Sequence, residues 1–131
     1  MGAWGHGTFQ NDDALDLLDD LVDGGDERML RDALDAALSA AGESPDATDA
    51  SSALAAAEIV AALRGRPAAD LPDEAVDWAR GRPAPTDELV ARARQAVAAV
   101  LSDSELRDLW METDELPMWQ GSVEELRERL R

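Results

Sequence analysis

Two sets of side chains in this sequence have the types and spacing to do chemistry. The first is Glu58, set alone in the apolar run ALAAAEIVAAL, together with His6, the only histidine. A carboxyl and an imidazole brought together can exchange a proton near neutral pH, which is the core of an acid–base site. The second is a row of aspartates, Asp12, Asp16, Asp19, Asp20 and Asp23, on one amphipathic stretch. Their chemistry is charge rather than bond-making, a docking face for a cationic partner.

Each set also has a structural use. A carboxylate in apolar surroundings costs several kcal/mol unless it is paired, hydrogen-bonded or protonated. The stretch before the first helix, MGAWGHGTFQN, offers it donors: glycine-rich backbone amides, the Trp4 indole N–H and His6. An arginine would serve equally. Trp4 and Phe9, if buried, contribute up to about 4–6 kcal/mol each at roughly 25 cal/mol per Å². The expectation is therefore an ordered ribbon over residues 1–10, held by its rings and received by Glu58, with Trp4, His6, Phe9, Asn11 and Glu58 as one constellation. The alternative places Glu58 at a helix–helix rim with its head group in water.

The aspartates carry a local cost. Like charges four apart, as at Asp16 and Asp20, disfavour a helix by a few tenths of a kcal/mol. Asp20 and Asp23 also crowd the helix C-terminus, where the dipole prefers cations. A solvated acidic surface that maintains solubility explains them, and so does a partner-binding face. DLVDGGDER lacks the ligand spacing of an EF-hand loop, and the glycines follow no strand and miss the dinucleotide fingerprint. No metal and no cofactor is expected.

The elements that must position these residues read as helices. Hydrophobic residues make up 45% of the chain but aromatics only 4%, so the apolar mass is mostly Ala and Leu. Apolar positions at helical spacing run from Ala14 to Val22, from Met29 to Ala41 and from Leu89 to Leu101. Asn11 or Asp12, Asp26 and Thr86 are the natural N-caps, and Gly24-Gly25 and Gly42 the stops. The segment from Ser52 to Arg64 is apolar nearly all round, the mark of a central helix. A short helix is expected from Pro72 to Arg80. Ser102 with Glu105, and Ser122 with Glu125, have capping-box spacing. Trp119, Val123, Leu126 and Leu130 form the last apolar stripe, and Trp78, Trp110 and Trp119 fall where core anchors belong. The fold class is all-α, one compact bundle of about six helices spanning residues 1–131 as a single domain.

Charge bounds the partners. With 29 acids, 12 bases that are all arginine, and a net charge of −17, the chain repels phosphate backbones and anionic lipid, so nucleic acid and membrane are set aside. Arg64, Arg66, Arg80 and Arg82 flank proline loops, where they can bind an anion or pair with surplus carboxylates. The absence of cysteine excludes disulfides and thiol chemistry. Without a signal segment or a membrane-length apolar run, a cytoplasmic location is expected.

MGAWGHGTFQNDDALDLLDDL, followed by ALAAAEIVAALRGRP and SELRDLW, resembles the bacterial domain-of-unknown-function family 4259 over about residues 1 to 130. The resemblance implies a small helical protein and carries no established catalytic residue. The sequence is accordingly read as a non-catalytic, acidic, helical protein-interaction module, of the kind an immunity or inhibitor protein uses against a basic protein. The competing reading is a small enzyme with an acid–base site around Glu58 and His6.

Overall fold

A computed structural model describes residues 8–9, 11–38 and 44–131. Among these residues there are seven helices and no strand: α1 (Asp12–Val22), α2 (Glu27–Leu38), α3 (Ala47–Leu63), α4 (Asp73–Ala79), α5 (Asp87–Ser102), α6 (Glu105–Met111) and α7 (Leu116–Arg129). The helices form one all-α bundle, as the Ala/Leu-rich composition requires.

The bundle is organised around α3, which touches each of the other six helices. Its side chains explain why. Ala53, Ala55, Ala56, Ala57 and Ala61 are too short to hold neighbours at a distance, and Leu54, Ile59 and Val60 fill the gaps between them. On one side of α3 lie α2 and α5, which also contact each other. There, Arg92 of α5 bridges Asp35 of α2 and Glu88, which in turn takes Arg31. Helices α1 and α4 touch on another side, and α6 and α7 close the bundle.

The caps show where each helix begins. Asn11 accepts from Ala14 N at 2.8 Å, Asp46 from Asp49 N at 2.8 Å and Thr86 from Leu89 N at 3.2 Å. Asp46 starts α3 five residues' worth of chain ahead of the expected Ser52 boundary, because it supplies an acceptor that Ser52, already inside the helix, does not. Ser104, not Ser102, caps α6. Its fully buried hydroxyl accepts from Arg107 N at 3.0 Å and donates to Val100 O at 2.8 Å. Glu105, freed from a local capping box, accepts from Ala47 N at 2.9 Å and so caps α3 from across the fold.

Ser122 is likewise no cap. It sits inside α7, which starts earlier with Pro117 in its first turn, where a missing N–H costs nothing. The stripe Trp119, Val123, Leu126 and Leu130 is buried as its spacing demands. Between α1 and α2 the chain turns at Gly24, whose φ of +104° suits glycine, and Gly25. A Cβ on Gly25 would stand 2.7 Å from Leu21 Cα and 2.3 Å from Met29 Sδ, so this turn packs backbone against backbone.

Candidate functional site

Glu58 lies midway along the central helix and is 6% exposed. The rim alternative, with its head group in water, does not describe it. Its partner comes from the last turn of α7: Arg129 Nη1 is 2.8 Å from Glu58 Oε1. The contact is an ion pair approached off the line of a hydrogen bond, leaving Oε1 without a hydrogen-bond donor among the described residues. Arg129 also pairs through Nε with Glu125, one helical turn earlier, and donates Nη1 to Arg66 O at 3.3 Å. One guanidinium thus joins α3, α7 and the loop after α3.

Burial is the largest influence on the Glu58 carboxyl and pushes its pKa above the ordinary 4.5. The Arg129 guanidinium and a hydrogen bond from Thr8 oppose the shift, while the Glu125 charge adds to it. Desolvation works against the charge on Arg129, but the adjacent Glu58 and Glu125 carboxylates outweigh that and hold its pKa up. A crevice of about 440 Å³ opens beside the pair, lined by Thr8, Asp70, Ser122, Glu125 and Met118. An adjoining hollow of about 230 Å³ adds Phe9 and Leu71.

Of the expected ribbon constellation, the structure places Glu58, Phe9 and Asn11. Phe9 is half-buried against the core cluster, and Asn11 caps α1 while donating Nδ2 to Thr8 O at 3.0 Å. Trp4 and His6 lie outside the described residues. Thr8 and Asp70 carry no site signal in the sequence, and Glu125 only a capping-box spacing with Ser122. Arg129 had one signal, a place on the last helix directly beside the buried Leu126 and Leu130 positions.

The aspartates of α1 do share a surface. Asp12, Asp16, Asp19, Asp20 and Asp23 are all exposed, and none is ion-paired with an arginine among the described residues. The fold extends this surface beyond α1. Asp13, half-buried, has its pKa raised by burial and then by the charges of Asp16, Asp12 and Asp46. Asp49 is raised by burial and then by Asp46. The first turn of α3 therefore adds its carboxylates to the start of α1. Among the described residues no group of three or more His, Cys, Asp or Glu side chains is arranged to hold a metal ion.

The tryptophans divide. Trp110 and Trp119 are 3% exposed core residues. Trp78 is half-buried, with Arg82 stacked 3.9 Å above its ring and donating Nε to its carbonyl at 2.8 Å. No helix among the described residues is long and apolar enough to cross a membrane.

Among curated proteins and solved structures, nothing matches the chain. A family model matches residues 2–122, and on that match the chain belongs to the family described as a domain of unknown function, DUF4259.

Proposed function

We propose that the protein is a non-catalytic interaction module that binds a basic protein through the acidic surface of α1 and the start of α3. The observation that carries this reading is the row Asp12, Asp16, Asp19, Asp20 and Asp23, exposed and unpaired with arginine among the described residues. Intramolecular pairing is the usual fate of carboxylates near arginines. Here the arginines with carboxylate partners serve α2, α4, α5 and α7 instead. A face kept free of counter-charge, at a local cost to its helix, supports a partner that supplies that counter-charge.

Glu58 fits a structural part better than a catalytic one. A general acid must give up its proton to a substrate, whereas this carboxyl is held by Arg129 and Thr8. The crevice beside it nevertheless supports the competing reading, a small enzyme with an acid–base site around Glu58 and His6. His6 lies outside the described residues, and Asp70 and Glu125 are the acids beside Glu58.

The test is affinity purification with wild type and with Asp16→Asn/Asp20→Asn/Asp23→Asn, followed by calorimetry on any basic protein recovered. Binding lost in the variant and weakened by salt supports the interaction module. Equal binding by both chains defeats it.

A further inference from the structure

Of the 12 arginines in this chain of 29 acidic residues, six pair with no carboxylate among the described residues, and two of those six stand together. Arg94, exposed midway along α5, makes no ion pair or side-chain hydrogen bond among the described residues. Arg64, at the end of α3, buries Nη1 with no acceptor. The two face the same hollow of about 390 Å³, which Arg131 completes from the end of α7.

A second hollow, about 630 Å³, shares Arg94 and Arg131 and adds Arg127 and Gln95. The two run together as one trough along α5. Asp87, Ala91, Arg94 and Ala98 lie on one face of that helix, and the two alanines keep the trough open. The end of α7 is fixed beside it, because Arg66 Nη1 donates to Arg131 O and Arg129 Nη1 donates to Arg66 O, each at 3.3 Å. Asp87 is the carboxylate in the lining. Glu124 and Glu128 reach Arg127 and Arg131 only at 3.8 and 3.5 Å, from exposed positions.

We propose that this trough binds a small, multiply charged phosphate anion, gripped by Arg64, Arg94 and Arg131. Guanidinium forks match phosphate oxygens in geometry and stay charged at any physiological pH. Arg64 lines the hollow with a guanidinium that lacks a protein acceptor at Nη1, so its charge has no competing partner there. The net charge of −17 does not forbid this, since at physiological salt charges beyond about 8 Å are largely screened. It does select for size. A long polyanion leaving the trough must cross the acidic surface, whereas a small one need not.

The test is calorimetric titration of the full chain with inorganic phosphate and with pyrophosphate, at constant ionic strength in chloride. Saturable one-to-one binding of pyrophosphate is expected. Arg94→Gln, at an exposed position common to both hollows, should weaken it about tenfold or more. Asp87→Asn should tighten it, and Arg80→Gln, which lies outside the trough, should leave it unchanged. Absence of saturable binding by either anion overturns the proposal. So does wild-type affinity in Arg94→Gln, or an equal loss in Arg80→Gln.

Discussion

Arg129 and Glu58 form a near-solvent-free ion pair, 2.8 Å apart with side chains 11% and 8% exposed, that ties the last turn of α7 to the middle of α3. Dehydrating two charges costs several kcal/mol per ion, so the pair holds together chiefly by making each partner indispensable to the other. Removing one should be worse than removing both. Arg129→Met is expected to cost about 3–5 kcal/mol in urea unfolding, and Glu58→Gln/Arg129→Met distinctly less than the sum of the single changes. Additive effects would show that the two side chains are not coupled.

The same burial sets an unusual pH dependence. Glu58, Asp13 and Asp49 have their pKa values raised, chiefly by desolvation, so each binds its proton more tightly folded than unfolded. Their contribution to stability is complete below the ordinary values of 4.5 for Glu58 and 3.8 for the aspartates, and is lost as pH rises through the raised native values. Glu88 runs the other way. The Arg31 hydrogen bond and charge lower its pKa, so its contribution is present above 4.5 and lost as pH falls through the lowered native value. On acidification from neutrality toward 4.5 the raised carboxyls contribute a gain in stability as each passes its native value, while the Glu88 contribution persists, and the gain is smaller in Glu58→Gln. Urea midpoints across that range check it, and a steady loss would contradict it.

Charge on α1 should be neutral or harmful to the fold itself. Asp16→Asn/Asp20→Asn/Asp23→Asn removes three i,i+4 repulsions, Asp12–Asp16, Asp16–Asp20 and Asp19–Asp23, and two charges from the unfavourable end of the helix dipole. The variant is expected to be more stable by about 0.5–1 kcal/mol, with a higher melting temperature. A drop in stability would mean that these carboxylates have structural partners of their own.

The turn between α1 and α2 has no room for a methyl group. Gly25→Ala places a carbon 2.7 Å from Leu21 Cα, and backbone cannot swing aside as a side chain does. A loss of about 1–3 kcal/mol in chemical denaturation is expected. Gly121→Ala is the companion measurement. That glycine is exposed inside α7 with open space where its Cβ would stand, and alanine there should stabilise by up to about 1 kcal/mol.

Helical periodicity made most of this fold legible. The all-round apolar pattern of ALAAAEIVAAL placed α3 at the centre, and the stripe from Trp119 to Leu130 placed the last helix. The caps were less so. A Ser–Glu spacing occurs at 102–105 and at 122–125, yet Ser104 does the capping at the first site and Ser122 sits mid-helix at the second. Capping depends on where the preceding helix ends, and that is decided by packing.

The candidate site was legible by halves. A glutamate alone among alanines announces that it needs a partner, but not that the partner lies on the final helix. The meeting of Asp13 with Asp46, and of Arg64 with Arg94 and Arg131, are products of topology with no trace in local spacing.

The family match stops at residue 122, part-way along a helix that continues to Arg129. A fragment cut at that edge would discard Leu126 and Leu130 from the interior, strand Glu58 beside no cation, and dismantle the arginine trough. Whoever prepares this protein by the family's limits would be studying a molecule with a hole in its middle.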